Sequence, residues 1–504
     1  MEPRVLPRSE HPISRRNIDP DALKVLYRLK NFGYLGYLVG GGVRDLMLGR
    51  TPKDFDISTS AHPNQVKRLF RNCFIVGRRF RLAHVRFGKK VVEVSTFRKL
   101  AEPEQGEDLL IKRDNTFGTP EEDAFRRDFT VNALFYDIAT FSVIDYVDGL
   151  RDLESRTIRT IGDPGVRFRE DPVRMLRAVA LACRLGFTID PDSIEAIRAL
   201  RAEILKSSPA RVLEELYKIL RQGAARATFE KLHQVGLLAY ILPEADAALA
   251  GRGGALRASL ERLDACRNEG LAAADELSTA VLAGTVLVPL GVSLKRAAVM
   301  APARDHRREE AHRPPPPDPG AEARRLGVPE AEPEATLPAT LALPFARRDL
   351  NQVRLMLLAQ PRLRAVHAEP AVVELLGGRP YLEDAVRWLE IHGGDEGREL
   401  ALHWRSLDLA PVTVVEAPLE EEGEELPAEA GARSTRRRRR GGRRRHAAGA
   451  DEGAGEAPGP AAEPSAVPAP PAENGEAPRK RRRRRRRRRP AGGAVAAKVD
   501  APAE

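Results

Sequence analysis

The segment Lys53-Asp54-Phe55-Asp56-Ile57 carries the clearest chemical pattern in the chain. Side chains alternate along a strand, so Asp54 and Asp56 share one face and Phe55 points the other way, to a core. Two carboxylates on one face repel unless a cation sits between them, and hard oxygen ligands so spaced suit Mg²⁺. Alternation alone also produces acidic pairs at strand ends, so the pair needs company to mean more. About a dozen residues earlier stands Gly40-Gly41-Gly42-Val43-Arg44-Asp45. A glycine turn between strand and helix lets backbone N–H groups at Gly41 approach a phosphate, and Arg44 adds a charge-assisted contact. By itself such a turn is most often only a turn.

Three downstream segments, in their order along the chain, give the acidic pair that company. Val91-Val92-Glu93-Val94 places a single acid in an apolar strand. Arg126-Arg127-Asp128-Phe129-Thr130-Val131-Asn132-Ala133 adds a carboxylate, two arginines suited to a triphosphate, and Asn132 as a ribose contact or a structural amide. Arg169-Glu170-Asp171-Pro172-Val173-Arg174-Met175-Leu176-Arg177 places Arg174 and Arg177 on one helical face, with Asp171 a turn before Arg174. An Asp acceptor beside an Arg donor matches the adenine edge, whose 6-amino group donates and whose N1 accepts. An ion pair and an N-cap are the ordinary uses of the same residues. Phosphate cradle, paired metal ligands and a further carboxylate are together the parts of a two-metal phosphoryl-transfer site.

The elements that must position these residues can be read from punctuation and period. NIDPDALKVLYRLKNFG opens with Asp19 as cap and Pro20 at the first helical position, and Gly33 ends it. YLGYLVGGG is a buried strand running into the glycine turn, VRDLMLG a short helix, DFDIST a strand, HPNQVKRLFRN a helix, and CFIVGRRF, AHVRFG and VVEVSTFR further strands. This mixture predicts an α+β domain over 21–150, after a flexible leader at 1–20. From Asp171 the period becomes 3.6: DPVRMLRAVALACRLGF is a helix with Asp171 as cap and Gly186 as stop. All-helical segments are expected at 151–245 and 246–412, the second broken by RREEAHRPPPPDPGAEA. Residues 413–504, rich in Glu, Ala, Pro, Gly and Arg, bury too little apolar surface to offset chain entropy, and disorder is expected there.

The chain has 504 residues and a formal net charge of +11. Residues 431–504 hold 21 Lys and Arg against 8 Asp and Glu, leaving 62 basic and 64 acidic residues in the first 430. The basic excess is thus a property of the tail, and nucleic-acid binding by the rest must come from local arrangement. Arg78, Arg79, Arg81, Lys89 and Lys90 form one such arrangement, suited either to tracking RNA phosphates without reading sequence or simply to a solvated basic face. Cys73, Cys183 and Cys266 fit no zinc spacing and suit a reducing compartment. No apolar leader segment and no run of spanning length is present, so a cytoplasmic protein with no membrane partner is expected.

The stretches LVGGGVRDLMLGRTPKDFDIST, RRDFTVNALFYDI, DYVDGLRDL and RFREDPVRMLRAV resemble, in order, the motifs of the class II tRNA nucleotidyltransferase and bacterial poly(A) polymerase family of the polymerase-β-like superfamily. The resemblance spans roughly 35–240. It implies a head with a small mixed sheet followed by helical neck and body. It implies Asp54 and Asp56 as ligands of Mg²⁺ (or Mn²⁺), with Asp128 and Glu93 competing to be the third catalytic carboxylate. Gly41, Arg44, Arg127, Arg174 and Arg177 match nucleotide-binding positions, Asp171 matches the base reader, and Asp145, Asp148 and Gly149 match the join between head and neck. Ile75–Val85 and the basic tail are similar to the poly(A) polymerase branch. The implied activity is AMP addition from ATP to RNA 3′ ends, with RNA-turnover proteins as candidate partners; building CCA on tRNA is the alternative.

Overall fold

Ala22, Val25, Leu26 and Leu29 are the buried face of helix α1 (Pro20–Asn31), spaced three and four apart as an amphipathic helix requires. Asp19 caps it, accepting from the N–H groups of Asp21 and Ala22. The helix packs on one mixed sheet of eight strands: β1 (Arg4–Leu6), β2 (Gly36–Val39), β3 (Ile57–Thr59), β4 (Cys73–Val76), β5 (Leu82–Phe87), β6 (Lys90–Thr96), β7 (Leu134–Asp137) and β8 (Ser142–Asp145). Their spatial order is β1-β8-β7-β2-β3-β6-β5-β4. All neighbours are antiparallel except β3 and β6. The computed structural model describes residues 2–77, 81–99, 116–251, 254–291, 319–327, 342–365 and 370–407. Arg78, Arg79, most of the proline-rich break and the tail from 413 lie outside the described residues.

Two expectations are corrected. Residues 1–20 are not a loose leader: β1 extends the sheet by pairing Arg4, Val5 and Leu6 with Asp145, Ile144 and Val143. Ile13 and Ile18 join the core, and His11 bonds the Phe141 carbonyl at 2.9 Å. DFDIST is a strand only from Ile57; Asp54 and Asp56 stand on its lead-in, where the Asp56 carbonyl accepts from the Val39 N–H at 3.0 Å.

This topology forces the chemically interesting segments together. β2 and β3 are antiparallel with Leu38 opposite Ile57, so the turn leaving β2 lies beside the lead-in to β3. β6 runs parallel to β3 with Val94 opposite Ile57, which sets Glu93 next to Asp56. β7 is antiparallel to β2 with Phe135 opposite Val39, and the Gly40 N–H donates to the Leu134 carbonyl, so the segment before β7 reaches the same end. Four stretches far apart in the chain thus meet at one end of the sheet.

Helices α2 (Gly41–Met47), α3 (Pro63–Leu69) and α4 (Pro120–Phe125) complete the head. The chain continues through α5 (Gly149–Glu154), α6 (Pro164–Glu170), α7 (Val173–Leu185), α8 (Pro191–Leu200) and α9 (Pro209–Arg221). Thr157–Ile158 and Thr188–Ile189 form a short parallel ladder in this otherwise helical stretch. The described residues beyond it are helical up to Gly394–Ser406. One apolar core runs from Ile13 in the head to Trp404 in the last helix. No described helix is long and apolar enough to cross a membrane.

Candidate active site

The turn leaving β2 needs its glycines. Gly40 has φ +69°, and a Cβ there would stand 3.2 Å from Arg127 Nη1; one on Gly42 would stand 3.2 Å from the Asp54 carbonyl oxygen. The turn therefore presses directly on the acidic lead-in and on the arginine pair. Two cavities, of about 990 and 460 Å³, open on either side. Both are lined by Gly41, Asp56, Glu93, Asp128, Asn132 and Arg177. Asp54, Lys53, Lys89 and Lys90 face the larger one. The smaller one is lined with Arg98, Arg126, Arg127, Arg174 and Arg211, together with Asp171.

The carboxylates differ sharply in their electrostatics. Asp56 keeps surface accessible to the cavities, yet protein encloses it. That enclosure, with the charges of Glu93 and Asp54, pushes its carboxyl up to about 6, against a smaller opposing pull from Arg127. Asp128 has the reverse balance. Burial works to raise its carboxyl, but Arg177, Asn132 and Arg174 outweigh it and hold it below the usual range. Its Oδ1 accepts from the Phe129 N–H at 2.9 Å and Asn132 Nδ2 at 3.2 Å, and Oδ2 faces Arg177 Nη2 at 2.6 Å. Asp128 is thus neutralised by Arg177, whereas Asp54, Asp56 and Glu93, the last with His84 Nε2 at 3.4 Å beside it, are acids whose mutual repulsion a divalent cation would relieve. The donor set, all oxygen, fits a hard ion. Among the described residues no three acidic or imidazole groups already converge on one point. What the chain brings is therefore a pair to be completed by other oxygens, such as substrate phosphates and water.

The predicted nucleotide residues all line the cavities, but several are engaged with protein. Arg44, 3% exposed, binds Asp45 through Nε and Nη2 at 2.9 and 2.7 Å and Asn132 through Nη1 at 2.5 Å. Arg184 of α7 also reaches Asp45, at 3.1 Å. Arg127 donates to Asp123, to Ser58 Oγ at 3.2 Å and to the Asn132 carbonyl at 3.3 Å. Arg174 donates to Glu170 and to the Arg167 carbonyl. Asp171 does not cap α7; Arg211 Nη1 and Nη2 clamp its two oxygens at 2.7 and 2.6 Å. Arg81 is exposed just before β5 and lines neither cavity.

Three contributors escape a reading of the motifs. Asp123, fully buried in α4, pairs with Arg126 and Arg127, and they in turn hold its carboxyl below the usual range against the opposing effect of burial. Its spacing, three and four residues before the arginines on a helix, is a usable signal. Arg211, forty residues from Asp171, leaves no local trace. Arg167 opens the stretch RFREDPVRMLRAV and pairs locally with Glu170, but its grip on the carbonyls of Arg126 and Arg127, some forty residues away, leaves no trace in the sequence.

Residues 36–159 match the family model of the poly A polymerase head domain, and residues 186–249 match that of the probable RNA and SrmB-binding site of polymerase A. Over 247 residues the chain is 51% identical to poly(A) polymerase I of Salmonella typhi, covering 47% of this chain and 53% of that protein. It is 38% identical over 216 residues to the CCA-adding enzyme of Bacillus subtilis, covering 43% and 54%. The alignments take in about half the length of the curated relatives. A crystal structure of the Bacillus stearothermophilus CCA-adding enzyme in complex with CTP is similar at 27% identity and a TM-score of 0.49, over 77% of this chain and 84% of that one.

Proposed function

We propose, from the premise that residues 36–249 belong to the poly(A) polymerase and tRNA nucleotidyltransferase family, that the chain transfers AMP from ATP to RNA 3′ ends. The 3′-hydroxyl oxygen loses its proton to water and bonds to the α-phosphorus, the bond from that phosphorus to the bridging oxygen breaks, and pyrophosphate leaves with the electron pair. The observation that carries this is the meeting of Asp54, Asp56 and Glu93 at one end of the sheet, with Asp56 and Glu93 on the wall between an arginine-lined cavity and a second cleft.

Asp54 and Asp56 would hold Mg²⁺ or Mn²⁺, which when bound neutralises charge on the attacking and leaving oxygens. Glu93 is the better third carboxylate, because Asp128 is committed to Arg177. Asp128 instead orders Asn132 and Arg177 at the shared wall. The arginine-lined cavity takes the nucleotide. Its volume suits a ligand of that size. Arg126 and Arg127 receive the triphosphate with the Gly41 turn, Arg44 holds the turn through Asn132, and Arg177 adds charge at the wall. Asp171 accepts from the adenine 6-amino group, and Arg174 donates to N1. The larger cleft, with Lys53, Lys89 and Lys90, takes the RNA end, and Arg78, Arg79 and Arg81 are further candidates for contacting its phosphates. Polyadenylation is favoured over CCA addition by the higher identity to poly(A) polymerase I.

The test offers the protein each of the four nucleoside triphosphates, with an unstructured RNA and with a tRNA lacking its end. Repeated incorporation of AMP on the unstructured RNA is expected. CMP incorporation confined to the tRNA would replace this assignment with CCA addition. Asp54→Ala and Asp56→Ala should each reduce turnover by about a thousandfold or more while leaving the fold intact; wild-type turnover in either would remove the metal assignment.

A further inference from the structure

Arg167 lies in α6, belongs to neither the metal-binding nor the nucleotide-binding set, and is 4% exposed. Its Nη2 donates to two consecutive carbonyls of the head, Arg126 at 2.8 Å and Arg127 at 2.6 Å. These carbonyls belong to the C-cap of α4 and the residue after it, past the reach of the helix's own N–H groups. Its Nη1 donates to Glu170 Oε2 at 2.8 Å, and the same oxygen accepts from Arg174 Nη1 at 2.8 Å. Arg174 also bonds the Arg167 carbonyl at 3.0 Å. One planar fork therefore grips the backbone of the arginine pair on one side and, through a shared carboxylate, the arginine beside Asp171 on the other. The side chains of Arg126 and Arg127 are fixed independently by Asp123.

We propose that Arg167 is a positioning residue that sets the distance between the base-reading and triphosphate-binding halves of the nucleotide site. This rests on the proposed function, which gives Arg126 and Arg127 the triphosphate and Asp171 and Arg174 the base. A base seated at Asp171 then delivers its phosphates to Arg126 and Arg127 at a fixed span, and a smaller base does not. Burial and the neighbouring Arg174 push the Arg167 guanidinium down to about 10, so it stays charged at neutral pH. Lysine cannot substitute, because one ammonium lacks the fork that meets both carbonyls and the carboxylate in one plane.

The experiment measures steady-state constants for ATP, CTP and RNA in the full-length protein and in Arg167→Lys, with the active fraction from single-turnover bursts. Arg167→Lys should raise KM for ATP and lower the ATP-over-CTP preference in kcat/KM, each about tenfold, with KM for RNA unchanged. A role in stability alone would lower the melting temperature and the active fraction but leave both nucleotide values as in wild type, and that result overturns the proposal. Should Arg167→Lys fail to fold, Glu170→Gln tests the same link, since it keeps the carbonyl contacts and removes the charge joining Arg167 to Arg174. Unaltered nucleotide preference there overturns the proposal as well. A wild-type protein that incorporates no AMP would instead sink the functional assignment beneath it.

Discussion

Asp56 ionises against resistance, and the sign of that resistance can be followed into solution. Its folded-state carboxyl titrates near 6, above the ordinary value of 3.8, so between those values the native state binds more protons than the unfolded one. Its contribution therefore makes the fold less stable as pH rises through that window. In metal-free protein, Asp56→Asn should raise the melting temperature at pH 7 and lose the advantage near pH 4, as thermal melts at the two pH values would show. The same variant should be inactive, since an amide gives up the charge a divalent ion needs. That a residue can cost stability and be required for turnover is ordinary at functional sites. At this scale the sequence is legible where partners are close: Arg174 and Arg177 share a helix by their spacing, and Asp54 and Asp56 line one cavity although they stand ahead of the strand that alternation predicts. It is opaque where a side chain is captured from afar. Nothing near Asp171 announces that Arg211 clamps it, and nothing near Arg44 shows that Asn132 already occupies part of its guanidinium.

Among the elements, the join between β8 and α5 has least room. The Asp145 carboxylate accepts from the N–H groups of Val147, Gly149 and Leu150, at 3.0, 3.0 and 2.9 Å. Asp148 adopts the left-handed region at φ +61°. A Cβ on Gly149 would fall 2.3 Å from the Thr130 carbonyl oxygen, a backbone atom that cannot swing away. Thr130 lies two residues after Asp128, so the join rests on the segment that carries Asp128 to the cavity wall. Gly149→Ala should cost about 1–3 kcal/mol, read as a lower denaturant midpoint, and should cut turnover too, because relief of the clash moves Thr130. Helix α1 is readable down to its cap because its signals are local. β1 is not: a three-residue edge strand draws its identity from pairing with β8, well over a hundred residues away, and RVL has no period of its own. The lead-in to β3 reads falsely as strand for a related reason, since alternation does not say where a ladder begins.

For the whole molecule, the charge partition sets expectations. The 21 basic residues at 431–504 stand apart from a body with nearly balanced charge. Deleting 431–504 should weaken RNA affinity and flatten its dependence on salt, while turnover at saturating RNA stays as in the intact chain. Filter binding over a salt series, beside saturated rates, checks both halves. Across the cleft, Lys53 Nζ meets Asp275 Oδ1 at 2.6 Å, 222 residues on and one residue from the acidic pair. Both side chains are well exposed, so the pair itself is worth at most about 1 kcal/mol. Its location gives it more weight than its energy. If RNA enters this cleft as proposed, a carboxylate parked on that lysine occupies the seat an arriving phosphodiester would want, a tethered rival to the polymer at the doorway. Asp275→Asn should evict the rival, lowering KM for RNA by about two- to fivefold in dilute buffer, with the gain fading as added salt screens the lysine.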